Sequence, residues 1–459
     1  MTPMPGPGSG RVHVIGAGLA GLAAAVDLAG HGYRVVLYES GTHAGGRCRS
    51  FFDAELGVRI DNGNHLLLSG NDSALDYIVR IGALDTFDEP GAAAIPFVDV
   101  ATGERWAVRP SRGVVPWWIF SAARRVPDTR PRDYLAALLL WRAAPDDTVA
   151  GVLTRDTDSV LFRRLWQPLA VATLNTAAED ASARLFGRIL AETVGRGAAA
   201  CRPMLARDGL SESLVDPALS FLAREGAEVR VNARLKALGF GAGGIAELMF
   251  DGDAVALSPQ EQVILAVPGA IAARIVPDLV VPDDYAPIVN AHFRCASGLI
   301  GTDAPLFAGI VGGTAEWVFR KRDIVSVTVS AADRIVGRPA DELRELLWRD
   351  VTLALGLPPG PAPPARIVKE RRATFRATPV QLRRRPAAAT AWHNLHLAGD
   401  YVETGLPATI EGAIRSGFAA AARVRQRRDP APAFTLGALG AAPARPLPTQ
   451  VEDCQRVLP

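Results

Sequence analysis

The feature that most constrains this chain is a glycine-rich turn between a short apolar strand and an alanine-rich helix near the start of the sequence. The turn carries three glycines in the G-x-G-x-x-G spacing. Gly16 permits the tight turn, Gly18 lets the backbone approach a pyrophosphate, and Gly21 lets the helix pack closely on the strand. Leu19 and Ala20 open the helix, whose free N–H groups favour a phosphate. This order predicts an α/β protein with a Rossmann-like, dinucleotide-binding unit.

An acidic residue follows the next strand at the position that a nucleotide site requires. The strand over residues 34–38 delivers Glu39 about twenty residues past the glycine turn, where a carboxylate accepts hydrogen bonds from a ribose diol. A small-residue helix contact is the alternative interpretation of the glycine spacing alone. Strand, spacing, helix and acid agree with one another, however, and therefore favour a nucleotide site.

A second glycine pair follows this acid. Residues 41–50 contain Gly45, Gly46 and Arg47, and the stretch resembles the second FAD fingerprint of the flavin amine oxidase and phytoene desaturase superfamily. The resemblance implies that the two glycines let the chain pass close to the cofactor and that Arg47 faces anionic cofactor oxygens. A solvated surface arginine is the alternative for Arg47. FAD is the predicted cofactor.

The third sequence motif of this superfamily lies near the C-terminal end of the sequence. Gly399 and Asp400 follow a strand, and a helix begins near Thr409 and Ile410. The resemblance implies that Asp400 binds the ribityl or phosphate side and that the helix start stabilises negative charge on the flavin ring. A capping aspartate is the alternative for Asp400. The resemblance also places Val231 against adenine, where an ordinary core valine is nearly as good an interpretation.

Three further stretches carry a narrower resemblance. Residues 61–71, 165–176 and 401–407 look like the corresponding parts of bacterial hydroxysqualene dehydroxylases, in order and spacing over most of 11–425. The resemblance implies an FAD-dependent oxidoreductase that removes the hydroxyl of hydroxysqualene reductively to give squalene, in hopanoid biosynthesis. The substrate would be a long isoprenoid in an apolar tunnel that excludes water.

Removal of a hydroxyl requires a proton donor, and the narrow motifs offer His65, Glu403 and Asn175 as candidates. His65 can donate a proton near neutral pH, and a Glu403 with a raised pKa can stay protonated. Asn175 can orient the hydroxyl. A hydrogen-bonded structural histidine, a salt-bridged loop carboxylate and an asparagine that closes a helix are the respective alternatives.

Other functions stay open at this stage. A carotenoid or isoprenoid desaturase would share the fold and the tunnel, and an amine oxidase would share the cofactor. A carrier of isoprenoid lipids on the same fold is the non-enzymatic alternative. No second nucleotide fingerprint is visible, so the electron donor is unidentified: a ferredoxin, a flavodoxin or a quinone pool would serve.

Three separated cofactor segments predict two interleaved domains. One is a Rossmann-like FAD-binding domain of the glutathione-reductase type with a β-meander, and the other is an α+β substrate domain. The predicted FAD-binding parts are 11–85, 205–275 and 389–428, the substrate parts are 86–204 and 276–388, and a disordered lead at 1–10 and a flexible tail at 429–459 flank them.

Composition narrows the class of partner. A formal net charge of +2 and the lack of a basic-aromatic array argue against nucleic-acid binding. Four scattered cysteines indicate no metal site and suit the cytoplasm. The aromatic and leucine-rich stretch 114–141, interspersed with arginines, suits the inner face of the cytoplasmic membrane, and a buried core helix is the alternative. The oligomeric state is not predicted.

Overall fold

The computed structural model describes residues 10–154, 159–296, 298–301 and 304–428. The tail predicted at 429–459 and all but Gly10 of the predicted lead lie outside these residues. The described strands, in chain order, are β1 (Arg11–Ile15), β2 (Arg34–Tyr38), β3 (Ser50–Asp53), β4 (Val58–Asp61), β5 (Leu67–Leu68), β6 (Phe87–Asp88), β7 (Ile95–Asp99), β8 (Arg105–Val108), β9 (Pro203–Ala206), β10 (Glu228–Arg230), β11 (Leu235–Phe240), β12 (Ile245–Phe250), β13 (Ala254–Ala256), β14 (Gln262–Leu265), β15 (Tyr285–Arg294), β16 (Phe307–Val311), β17 (Trp317–Lys321), β18 (Ile324–Val329), β19 (Ala365–Phe375) and β20 (Leu395–Leu397). The described α-helices are α1 (Leu19–Gly30), α2 (Asp72–Arg80), α3 (Val149–Leu153), α4 (Gln167–Leu174), α5 (Ala183–Glu192), α6 (Asp216–Arg224), α7 (Gly269–Ile275), α8 (Ala340–Leu355), α9 (Pro379–Leu382) and α10 (Ile410–Arg428).

A parallel five-stranded sheet carries the glycine-rich turn. Its order is β10-β2-β1-β14-β20, and all five strands lie in the three stretches predicted for FAD binding. Strand β1 is central and buried from Val12 to Ile15, as the continuous apolar runs of a parallel sheet require. Helix α1 packs on α10, where a Cβ at Gly417 would collide with the carbonyl oxygen of Ala20. The short β11–β13 sheet is antiparallel and forms the predicted meander.

A second, seven-stranded sheet joins the two stretches predicted for the substrate domain. Its order is β19-β15-β18-β17-β16-β7-β8, and only the β16–β7 pair is parallel. Helix α8 covers one face through buried leucines at 343 and 347, which share a core with Val289 and Val327. The other face of this sheet borders the cavity that most of the predicted FAD residues also line. Residues of β15, β18 and β19 contribute to its wall.

The aromatic stretch differs from its prediction. It forms two 3₁₀-helices, Trp117–Phe120 and Pro131–Arg142, and not the buried core helix that was the alternative for 114–141. Because 3₁₀ side chains repeat every three residues, Tyr134 and Leu140 are buried while Leu135, Leu138 and Trp141 form an exposed row. In the part of the chain that the structure describes, no helix is both long and apolar enough to cross a bilayer.

The carboxyl group of Glu316, next to β17 of the seven-stranded sheet, predicts an effect of pH on the free energy of unfolding. Glu316 accepts a hydrogen bond from the Ser330 N–H at 2.7 Å, and burial raises the pKa of Glu316 from 4.5 to about 7. The folded state therefore opposes ionisation, so this stability is complete below pH 4.5 and is lost as pH rises through 7. We expect Glu316→Gln to remove a fall of about 3 kcal/mol in the free energy of unfolding between pH 5 and pH 8.

Urea unfolding at the two pH values measures this effect. Glu342→Gln, at an exposed position on α8, is the matched control and should leave the pH dependence unchanged. Equal pH dependence in wild type and Glu316→Gln would contradict the assignment.

Candidate active site and cofactor cavity

A cavity of about 870 Å³ opens at the carboxyl ends of β1, β2, β14 and β20. Ligands of open parallel sheets bind at this end of the strands. Most of the predicted FAD residues line it: Gly16, Gly18, Leu19, Ala20, Glu39, Gly45, Gly46, Arg47, Gly399, Asp400, Thr409 and Ile410. Gly21 and Val231 are not in the lining.

The glycine-rich turn leaves space where a phosphate is expected. A Cβ at Gly18 would have no protein atom within 4 Å, so this glycine faces open cavity. Gly46 lies opposite it at a φ of +58°, and its own Cβ would stand 3.4 Å from the Gly18 Cα. Gly21 faces the other way, because a Cβ there would collide with the carbonyl oxygen of Gly16. Gly21 thus makes a packing contact and Gly18 borders an open cradle, where pyrophosphate binding stays a prediction.

The Glu39 carboxylate is fixed at the edge of the cavity by backbone donors. Ala17 N–H donates to Oε2 at 3.0 Å, and Gly41 N–H donates to Oε1 at 2.8 Å. Each carboxylate oxygen can accept more than one hydrogen bond, so the group retains capacity for a ribose diol. Val231 lies beyond this edge with 46% of its surface exposed, since β10 is an edge strand, and its contact with adenine stays a prediction.

Arg47 and Asp400 form an ion pair inside the cavity. The Arg47 Nη2 lies 2.8 Å from the Asp400 Oδ2, and Nη1 donates to the carbonyl oxygen of Ala373 on β19 at 2.5 Å. The Asp400 carboxylate raises the pKa of Arg47. The sequence predicted separate cofactor contacts for these two side chains. The pair instead joins the end of β20 to the substrate sheet, and the guanidinium keeps further N–H donors for the cofactor.

Helix α10 starts at the wall of the cavity. The Thr409 hydroxyl accepts a hydrogen bond from the Gly412 N–H at 3.1 Å and so caps the helix, and Ala408, Ile410 and Ala413 line the cavity beside it. The positive end of the helix dipole therefore faces the cavity, as the sequence predicts.

A buried arginine that the sequence analysis missed holds the loop before α10. The Arg385 guanidinium donates to the carbonyl oxygens of Leu406 at 2.6 Å, Val402 at 2.5 Å and Asp400 at 3.2 Å. Its side chain is fully buried over the Phe375 ring. No motif surrounds Arg385 in the sequence, so only the folded loop reveals its role as a positioning residue.

We expect Arg385→Met to lower the free energy of unfolding by about 2 to 4 kcal/mol, because the loop carbonyls lose their donor inside the protein. Retained FAD should also fall, since this loop sets the start of α10. Urea unfolding and the flavin content after purification measure the two effects. Glu403→Gln is the control: the Glu403 carboxylate is half exposed at 3.5 Å from Arg385, so its loss should cost less than about 1 kcal/mol.

His65 lies at the junction of two cavities. It lines the main cavity and a smaller one of about 120 Å³ that also contacts Asp61, His292 and Lys321. The His65 ring is exposed to the open space of these cavities, and desolvation by the protein around that space lowers the pKa of His65, which the nearby Asp61 carboxylate only partly offsets. Within the described residues His65 has no hydrogen-bond partner, so both ring nitrogens stay available to a ligand.

A polar wall stands beside this histidine. Thr328 donates to the Asn290 Oδ1 at 2.8 Å and accepts from the Asn64 Nδ2 at 3.0 Å. All three line the main cavity, and Asn62 lies next to them. The sequence predicted an apolar tunnel that excludes water and not a polar wall. Asn290 and Thr328 were missed because they come from β15 and β18, which meet the Asn64 loop only in the folded chain.

Two of the three predicted catalytic residues are not brought to the cavity. Asn175 ends α4 in the left-handed region and is buried in hydrogen bonds to Ala286, Thr374 and Ala331. Glu403 accepts from the Gly405 N–H at 2.6 Å and points outward to solvent. Both predictions are corrected: Asn175 joins the end of α4 to β15 and β19, and Glu403 stabilises the turn that contains Gly405.

The aromatic stretch 114–141 does not line the main cavity. Among the described lining residues, none comes from 86–204, so the aromatic stretch does not border the main cavity. Its buried side chains form a separate core with α4 and α5.

The site therefore fits an adenine dinucleotide. The open cradle at Gly18, the oriented Glu39 carboxylate and the capped start of α10 would hold FAD along the carboxyl ends of the strands. Fold and site together define a FAD-dependent oxidoreductase.

Comparison with known proteins narrows this class. Residues 19–425 match the family model of flavin containing amine oxidoreductases. The chain is 48% identical over 412 residues to a hydroxysqualene dehydroxylase of Sinorhizobium fredii, covering 90% of this chain and 97% of the relative. It is 45% identical over 415 residues to a hydroxysqualene dehydroxylase of Rhodopseudomonas palustris, covering 90% and 98%.

A solved structure agrees on the fold. Cyclohexylamine oxidase from Brevibacterium oxydans superposes with a TM-score of 0.66 at 16% identity, over 92% of this chain and 99% of that chain. The chain belongs to the flavin containing amine oxidoreductase family and, within it, to the hydroxysqualene dehydroxylases.

Proposed function

We propose that this protein removes the hydroxyl group of hydroxysqualene reductively and releases squalene and water, in hopanoid biosynthesis. The single observation that carries the proposal is the match to two hydroxysqualene dehydroxylases over nine-tenths of the chain. The cavity supports it, because it joins the predicted flavin-binding wall to His65, which has no hydrogen-bond partner among the described residues. Reduced FAD supplies the hydride in such a reaction.

The chain's own residues supply the proton and the positioning. A His65 imidazolium would donate its proton to the substrate oxygen, the C–O bond would break with its electron pair leaving as water, and the hydride would complete the new C–H bond. The lowered pKa of His65 makes its imidazolium a stronger acid than a free one. Asn64, Asn290 and Thr328 form an ordered polar wall that can orient the hydroxyl.

An anaerobic single-turnover experiment tests this function. The flavin of the purified holoenzyme is reduced with dithionite, hydroxysqualene is added, and the visible band of oxidised flavin is followed while products are extracted. Return of the band together with squalene supports the proposal. If reduced flavin persists while the oxidised enzyme is bleached by a polyene, the protein is a desaturase. If hydroxysqualene does not reoxidise the reduced flavin and a polyene does not bleach the oxidised flavin, the result favours a carrier.

We also propose that the enzyme works in the cytoplasm at the inner face of the membrane. Its substrate and product are long hydrocarbons that dissolve in lipid and not in water. Fractionation of cells that express the native chain tests this location: recovery with membranes that salt or carbonate can release supports it, and recovery wholly in the soluble fraction contradicts it.

A further inference from the structure

The aromatic stretch of the substrate domain presents an unusual concentration of exposed apolar side chains. We define the apolar face as Val114, Val115, Trp117, Phe120, Leu135, Leu138 and Trp141. Each is 48% exposed or more, and Trp117, Phe120 and Trp141 all exceed 60%. Apolar patches of this kind mark interaction sites in soluble proteins.

Helix geometry arranges the helical residues of this set in two rows. In the 3₁₀-helix Pro131–Arg142 side chains three apart stand above one another, so Leu135, Leu138 and Trp141 form one row. Trp117 and Phe120 form a matching row on the shorter 3₁₀-helix, with ring centroids 6.1 Å apart.

The two helices lie side by side through their buried residues. The Trp118 and Tyr134 rings pack edge to face at 5.1 Å, and the Tyr134 hydroxyl accepts from the Val126 N–H at 3.0 Å. Each helix thus turns buried residues toward the other helix and its exposed row toward solvent. The apolar face is therefore part of the ordered fold, because buried residues of the same stretch hold the two helices together.

Positive charge surrounds this face. Residues 112–142 hold six arginines and two aspartates. Arg132 stands at the start of the Leu135 row, three residues before it, and its side chain is 72% exposed. Arg112, Arg124 and Arg142 are exposed, and none forms an ion pair with another described residue. Tryptophan with arginine is the composition that seats a protein at the headgroup level of an anionic bilayer.

We propose that the apolar face docks onto the surface of an anionic phospholipid bilayer. Trp117, Phe120 and Trp141 enter the boundary between headgroups and acyl chains, and the arginines contact lipid phosphates. Because this face does not border the main cavity, it anchors the enzyme without taking part in the chemistry.

Vesicle sedimentation of the FAD-loaded enzyme tests this docking without any substrate. We expect binding to phosphatidylglycerol–phosphatidylcholine vesicles, and weaker binding to pure phosphatidylcholine. Trp117→Ser combined with Phe120→Ser should lower the partition constant at least about tenfold. Arg124→Glu combined with Arg132→Glu should lower it by more than about fivefold per site on anionic vesicles.

The matched control removes exposed apolar area elsewhere. Phe52 and Val380 are 63% and 58% exposed, so Phe52→Ser combined with Val380→Ser should bind vesicles as the wild type does. The proposal would be overturned if the wild-type protein does not bind anionic vesicles, or if the control variant loses as much vesicle binding as the variants of the apolar face. Light scattering that shows a dimer disrupted by Trp117→Ser and Phe120→Ser would overturn it too and assign the face to a second copy of this chain.

Turnover with detergent-dispersed hydroxysqualene separates this proposal from the dehydroxylation. Variants of the apolar face should keep that turnover and lose it only with vesicle-borne substrate. A protein that docks but does not turn over would overturn the proposed reaction alone.

Discussion

Gly18→Val is expected to abolish FAD binding while the protein stays folded. The Gly18 backbone has a φ of −72° and a ψ of 175°, which valine adopts without strain, and no protein atom lies within 4 Å of the new Cβ. The added side chain therefore occupies only the space expected for the pyrophosphate. We expect affinity for FAD to fall about 100-fold or more, measured by fluorescence titration of the apoprotein and by flavin content after purification.

Gly21→Val is the informative contrast. Its Cβ would collide with the carbonyl oxygen of Gly16, so α1 would have to leave the sheet and the fold itself should fail. The two variants add the same side chain three residues apart. If circular dichroism shows Gly18→Val to be as unfolded as Gly21→Val, the cradle interpretation is wrong. If Gly18→Val retains stoichiometric flavin, the pyrophosphate of the cofactor does not lie next to Gly18.

The part of the site that the sequence predicted is the part set by local geometry. A phosphate turn, the acid after the next strand and a capped helix each depend on a few adjacent residues, so their spacing carries the information. Strand β2 matches its predicted bounds of 34–38. FAD as the cofactor follows from these segments together.

The parts that the sequence could not supply depend on where side chains point after folding. Glu403 and Asp400 are three residues apart, but the loop held by Arg385 turns Glu403 to solvent and Asp400 into the cavity. The 3₁₀ repeat of the aromatic stretch was missed for a related reason. A period of 3.6 spreads Leu135, Leu138 and Trp141 over about 120° of the helix surface, and a period of three aligns them in one row.

His65→Gln is expected to lower turnover of hydroxysqualene by about 10² to 10⁴-fold while FAD binding and stability stay unchanged. The glutamine keeps a polar group in the cavity and removes the only acid of the proposed mechanism. His65 makes no hydrogen bond to another described residue, so its replacement breaks no structural contact. Single-turnover rates of reduced enzyme, with flavin content and thermal melting as controls, measure the change.

The pH profile separates an acid from a positioning group. Burial lowers the pKa of His65 below 6.5, so the wild-type rate should fall as pH rises through that lower value, because the imidazolium is the donor. His65→Gln should lose this dependence. His65→Ala leaves a space between the two cavities, where added imidazole can bind and restore part of the rate, with a pH dependence set by the added base. A wild-type rate that is flat across this range, together with no rescue, would show that the proton comes from elsewhere and that His65 only shapes the cavity.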